Sequence, residues 1–412
     1  MLNLFKKNGF QNEKLISILN TALTINLFAQ ITSNIWIIDD SLKVAVKYSL
    51  LFISFLVLVL KPRWLQKLRR KEALFFLFLF LAYVMFACLW SGLEDSLFTY
   101  GESILHIILY IHAIIYIYSQ TTFFNSFILL STTITASSAF ISLFNQYLIL
   151  NQSLSYRGFR IYSSGVVNYA DFGDPNHAAF FYGCFAIFLC GYLCVHNHKI
   201  SKTILLAGGI GIILMYVVLT YSRTTCLAVA LSILLICLTT HNWKTYSLLI
   251  IGTILICLTI PLFFDKIEFE LFDRGLSGRA NIWQNIIPQI TQDLWFGKGT
   301  GHPYSYYVVA PPAAVYVATQ AHSWFLQALF NYGLVGLSLF ILFIWRLFQS
   351  GKENLKLANV RIYLAMSLYA LILMVTDVGS IFETVAWPFF WLPISLLLAA
   401  TMSTSTVEAV AN

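Results

Sequence analysis

Long apolar runs separated by short polar breaks fill the chain from end to end. Each is about 20 residues long, the length a helix needs to cross ~30 Å of hydrocarbon. Runs such as Phe52-Ile53-Ser54-Phe55-Leu56-Val57-Leu58 and Phe75-Phe76-Leu77-Phe78-Leu79 are apolar on both phases of a two-residue repeat. Barrel strands alternate and these do not, so the runs predict helices. Twelve spans are predicted, near 15–38, 42–60, 73–91, 101–118, 123–148, 175–195, 203–220, 223–240, 245–264, 323–346, 361–377 and 385–402. The expected fold is an all-α polytopic membrane protein with a single transmembrane domain over 1–412. Its large loop, at about 265–322, lies between spans 9 and 10, and a second long segment runs about 149–174. No period of 20–50 residues repeats, and no inverted pair of broken helices of the transporter kind is visible.

Composition agrees with the pattern. The 412 residues are 59% hydrophobic and 10% charged, against roughly 25% charged in soluble domains. Twelve spans put both termini on one side. If that side is the cytoplasm, it holds sixteen of the 25 Lys and Arg but only four of the 18 acids. The clusters at 61–71 and 346–361 dominate, and the positive-inside rule predicts this orientation. The net charge of +7 therefore reads as orientation and lipid-surface charge, with no nucleic-acid partner. The first run follows Lys6, Lys7 and Lys14 and lacks a small-x-small site, so no cleavable signal is expected. All seven cysteines fall in apolar runs, which implies packing and no disulfide framework.

Candidate chemistry sits on the face opposite the cytoplasm, where five arginines stand out: Arg157, Arg160, Arg223, Arg274 and Arg279. An isolated arginine near a membrane face ordinarily snorkels to headgroups. Arg223 has little room to do so, because Thr220-Tyr221-Ser222-Arg223-Thr224-Thr225 is a bare polar break between two spans. Its guanidinium is expected to face a polar cavity or an anion, and its planar fork suits phosphate. Arg279, in Ser277-Gly278-Arg279-Ala280-Asn281-Ile282-Trp283, stands in the first turn of a predicted helix with Ser277 as N-cap. A cation there opposes the helix dipole unless a bound anion compensates it; an exposed loop arginine is the plainer alternative.

His322, in Gln320-Ala321-His322-Ser323-Trp324, marks where the large loop re-enters the membrane. A helix N-terminus disfavours imidazolium, leaving a neutral ring able to take a proton, although a structural histidine is an equal reading. His302 is the rival base, and His177, in Asp174-Pro175-Asn176-His177, is placed to cap or position. His196 and His198 fall on the cytoplasmic side. No zinc, thiol-redox or P-loop motif occurs. Gly297-Lys298-Gly299-Thr300-Gly301 lacks a strand–helix context and is expected to be a flexible loop. Asp265, Glu268, Glu270 and Asp273 could supply a glycosidase pair or simply a solvated loop face.

These motifs together resemble the O-antigen ligase family, whose superfamily includes O-antigen polymerases and protein O-oligosaccharyltransferases. The resemblance covers roughly 165–345. It rests on Asp174-Pro175-Asn176-His177-Ala178-Ala179, Tyr221-Ser222-Arg223, Ser277-Gly278-Arg279 with Trp283, and His322 with Leu326-Gln327 and Asn331-Tyr332-Gly333-Leu334-Val335-Gly336. It implies a GT-C-like inner-membrane enzyme with a periplasmic site and no metal or cofactor. Its donor would be an undecaprenyl-diphosphate-linked glycan, and its acceptor lipid A–core or a glycoprotein. Arg223 and Arg279 match the arginines implicated in holding the donor diphosphate, and His322 the histidine implicated in activating the acceptor. Arg157, Arg160, Arg274, His302, Ser222 and Gly278 are secondary candidates. The family usually has Asn where Ser323 stands, and a serine there is still expected to cap the helix. The length and the lack of an extra C-terminal domain speak against the larger protein-transferring members. No Arg-x10-Gly spacing of polymerases starts at Arg157, Arg160, Arg274 or Arg279. Outside this class, a lipid-linked glycan transporter is the competing reading, which would place charges at mid-membrane depth.

Overall fold

The computed structural model describes residues 9–33, 35, 40–60, 72–120, 124–154, 159–240, 279–302, 306–310, 314–383 and 385–411. Among these, ten helices are long and apolar enough to cross a membrane, with a shorter apolar segment at Trp387–Met402. In chain order the helices are α1 Gly9–Thr32, α2 Asp40–Leu60, α3 Glu72–Ala87, α4 Ser96–Gln120, α5 Phe124–Leu143, α6 Pro175–Val195, α7 Ile200–Leu219 and α8 Arg223–Thr240. After the short α9 Arg279–Gln292 come α10 Trp324–Glu353, α11 Ala358–Thr376 and α12 Leu392–Ala411. An antiparallel hairpin, β1 Tyr306–Ala310 with β2 Ala314–Ala318, precedes α10. The all-α polytopic expectation therefore holds, with this one hairpin added. The predicted span at 245–264 lies outside the described residues, as do Ser277 and the acids at 265–273.

The helices alternate in direction, so their ends form two faces. One face gathers the ends of α1, α3, α5, α7 and α11 with the starts of α2, α4, α6, α8 and α10. Contacts between distant segments tie it together: Lys47 Nζ to Glu102 at 2.6 Å, Thr300 N to Ala87 O at 3.1 Å, and Thr224 Oγ1 to Thr376 Oγ1 at 2.9 Å. The far face holds Lys199, Lys202, Lys352, Lys356 and Arg361, all from loops expected to be cytoplasmic, and an Arg346–Glu72 pair at 3.2 Å. α6 lies at the centre, buried on nearly every side, with Tyr369 of α11 donating to Ala179 O and Phe180 O of its first turns.

α10 is broken at Gly333, whose φ of 61° and ψ of −166° are not helical. A broken helix inside a membrane bundle must find other partners for its freed backbone groups. Here the segment 294–299 supplies them. Leu334 N and Val335 N donate to Leu294 O and Trp295 O at 2.8 and 3.1 Å, while Lys298 N and Gly299 N donate to Phe330 O and Asn331 O at 2.8 and 3.0 Å. The contact needs glycine on both sides. A Cβ on Gly333 would stand 2.4 Å from the Trp295 carbonyl, and one on Gly297 2.5 Å from Asn331 C. The expectation of a flexible loop at 297–301 is thus corrected. These residues are a wedge between α3 and the break in α10, and the positive φ angles reflect close approach.

Two buried histidines that the sequence reading passed over lie inside α4. His106 meets Gln30 Nε2 at 3.3 Å and packs on Trp387, and His112 Nδ1 lies 3.0 Å from Ser54 Oγ. Ser54 Oγ already donates to Leu109 O, so His112 Nδ1–H is the donor to it.

Candidate active site

Two strained turns present the two best sequence candidates. Tyr221, at φ 55°, precedes Ser222 and Arg223, and His322 itself sits at φ 48°. Positive φ at a non-glycine costs of order 1–3 kcal/mol and persists only where surrounding contacts impose it. Around His322 those contacts are visible. Trp283 Nε1 donates to Ala321 O at 3.0 Å, and Ala321 N donates to Gln327 Oε1 at 2.9 Å. Beneath them, Ile282, Ile286 and Ile290 of α9 pack with Ala318, Ala321 and Phe330. The apolar stripe of α9 thus fastens Arg279's helix to the histidine turn.

Arg279 opens α9 and forms an ion pair with Asp377, the residue that ends α11. The Asp377 side chain is only 3% exposed and that of Arg279 19%, so the pair is largely withdrawn from water. One carboxylate cannot occupy a whole guanidinium fork, and the remaining N–H groups of Arg279 stay usable for an anion. His322 lies within electrostatic reach of both. Burial first, and the Arg279 charge second, hold its imidazole below the ordinary histidine value; Asp377 and Asp174 pull upward, and His177 lowers it again. The ring is therefore neutral at pH 7, the form that accepts a proton.

Asp174 is the N-cap of α6, its carboxylate accepting from Asn176 N and His177 N at 2.7 and 3.3 Å. His177, expected to cap or position, is carried by the same turn and faces the His322 cluster. Asn176 Oδ1 accepts from Arg160 at 3.1 Å, and Arg160 Nε donates to Thr220 O at 2.7 Å. Arg160 thereby bridges the start of α6 to the turn before Arg223. Ser222 is buried and bonded to Thr225 at 2.9 Å, a role internal to that turn. Arg223 begins α8, and its neighbour Thr224 bonds Thr376, the residue before Asp377. The structure therefore brings Arg160, Arg223, Arg279 and His322 to one end of the bundle. Arg157, Arg274 and Gly278 lie outside the described residues.

His302 stands apart from this cluster. Its Nδ1–H donates to Ser91 O at 2.9 Å, which leaves Nε2 as an acceptor, and it lines a cavity of about 530 Å³ beside Gln320 and Glu383. Ser323 corrects another expectation. It occupies the N-cap position of α10, but its side chain makes no capping bond. Gln327, one turn further on, reaches back to Ala321 N instead. Asp377 and Glu383 went unnoticed in the sequence, where nothing distinguishes them from other acids at span ends; Asp377 stands 98 residues from the arginine it holds.

Comparison with known proteins matches the segment that carries this geometry. A family model described as O-antigen ligase matches residues 208–341, from within α7 to beyond the break in α10. A search of curated proteins finds no match. The matched segment is less than half of the chain, but it contains Arg223, Arg279, His322 and Gly333, so the part that carries the candidate site is similar to the O-antigen ligase family.

Proposed function

We propose that this protein moves a glycan from undecaprenyl diphosphate to a sugar hydroxyl of lipid A–core, with inversion and without a metal, at the periplasmic face of a bacterial inner membrane. The observation that carries the reading is the single cluster of Arg279, Asp377, Asp174, His177 and a neutral His322. A sugar diphosphate already has a good leaving group and needs no carboxylic acid to protonate it. It needs cations where negative charge builds, and a base at the attacking hydroxyl.

In this mechanism the acceptor oxygen attacks the anomeric carbon as the bond to the diphosphate oxygen breaks. The hydroxyl proton passes to His322, and the leaving diphosphate takes the bonding electron pair. Arg223 and the free donors of Arg279 hold it, while Asp377 fixes the Arg279 fork and Arg160 braces the turn of Arg223. A depressed pKa keeps His322 ready to act as base over the neutral range. Sidedness follows from the basic far face and the positive-inside rule. Transfer to protein or to a growing repeat unit would use the same chemistry on another hydroxyl.

The test is transfer by purified protein in detergent, where no compartments exist for a transporter to act across. His322→Ala should abolish product formation with membrane insertion intact. Unchanged turnover in that variant would remove His322 from the mechanism and promote His302.

A further inference from the structure

Two chemically different regions adjoin the His322 turn. Arg279, Asp377, Asp174 and His177 act on the ring electrostatically. Gln320 and Trp324, two residues before and after it, line a cavity of about 530 Å³. That volume falls within the roughly 300–1,000 Å³ range of small-molecule sites.

The lining is unlike a phosphate site. Among the described residues no lysine or arginine contributes to it; the polar groups are His302, Glu383, Gln320, Gln327 and Asn331, with the hydroxyls of Thr99, Tyr100, Ser103, Thr319, Tyr332 and Ser380. Its hydrogen-bonding directions are set from behind. Gln320 Nε2 donates to Glu383 Oε1 at 2.9 Å, which orients the carboxylate and leaves Oε2 to accept. The Ser91 carbonyl fixes His302 with Nε2 as acceptor. Gln327 Nε2 donates to Asn331 Oδ1 at 3.3 Å, leaving the Asn331 amide N–H groups as donors. Aromatic surface completes the wall, with Tyr100 set edge-on to Phe382 at 5.6 Å. Oriented acceptors, oriented donors and aromatic faces without a cation suit a neutral, hydroxyl-rich ring, and the Glu383 carboxylate repels phosphate.

We infer that this cavity is the acceptor subsite, taking a neutral sugar whose hydroxyls are read by Glu383, His302 and Asn331. The inference rests on the transferase reading and adds the chemical class of the acceptor end: an uncharged sugar, with phosphates directed elsewhere.

The experiment is equilibrium binding of delipidated core oligosaccharide to purified full-length protein, using the oligosaccharide as isolated and after enzymatic removal of its phosphates. Acceptor and donor KM are measured alongside. Glu383 lines the cavity yet is exposed, so Glu383→Ala should fold normally, which size-exclusion chromatography checks. The dephosphorylated glycan should bind wild type and lose about tenfold or more in affinity to Glu383→Ala, as expected for a hydrogen bond to a charged group. Acceptor KM should rise in parallel and donor KM should stay in place. Affinity indifferent to Glu383→Ala, binding that requires the phosphates, or a rise confined to donor KM would each overturn the assignment. Binding is scored without turnover, so a wild type that binds the glycan but transfers nothing would refute the transferase reading and leave the sugar site standing.

Discussion

Replacing Asp377 with asparagine isolates what the carboxylate does for its two neighbours. The substitution keeps the shape and one hydrogen bond to Arg279 but removes the charge. At contact distance, under an effective dielectric of about 20, two unit charges attract by about 4 kcal/mol. The amide restores about 1 kcal/mol as a neutral hydrogen bond. Arg279 is 19% exposed, and the water it reaches screens part of the remainder. The net loss in holding the guanidinium is then about 2–3 kcal/mol, or about 30- to 150-fold in the population of the oriented fork. Transfer rate should fall by that order. Asp377 also raises the His322 pKa, so removing its charge lowers that pKa further below the ordinary 6.5. A base works only when neutral; activity rises with pH through its pKa, and the acid limb of the rate profile should therefore move to lower pH. The assay is transfer by purified variant and wild type in detergent across pH 4.5 to 8, on the order of the range a histidine titrates. A wild-type rate with an unmoved acid limb would refute the reasoning, since it would separate Asp377 from both partners.

Arg223→Lys should lower transfer at least about tenfold with expression unchanged, because an ammonium offers a point charge where the fork binds two oxygens; wild-type rates would reduce Arg223 to a structural residue. Gly333→Ala should destabilise the detergent-solubilised protein by about 2–5 kcal/mol, combining a backbone region nearly reserved for glycine with a Cβ pressed against the Trp295 carbonyl. A melting temperature within about 2 °C of wild type would show that the wedge can rearrange freely.

Much of this site was legible in the sequence because its members sit at breaks in the hydropathy pattern. Arg223 lies in a turn too short to be a loop, and His322 where the apolar pattern resumes; local spacing alone marks both positions. The wedge at 294–301 was not legible. Its glycines have no meaning until the break in α10 lies beside them, and three glycines near a lysine read equally well as slack. The missing cap at Ser323 was not legible for a similar reason: residue type marks a serine as able to cap, and only the folded backbone shows that its side chain makes no capping bond while Gln327 reaches back to Ala321 N.

By itself the sequence determined the apolar, membrane-length helices and the charge difference between the two ends. The physical reason is that hydrocarbon leaves a backbone no water to bond, so twenty apolar residues have one stable choice. Tertiary structure decided which acid meets which base. Asp377 and Arg279 are joined because α9 packs against the start of α10 and α11 ends at the same face, an arrangement set by side-chain volumes from segments far apart in the chain. It also decided that Gln320, His302 and Glu383 enclose one cavity, since hydrogen bonds between distant loops are specified by shape and leave no periodic mark along the chain.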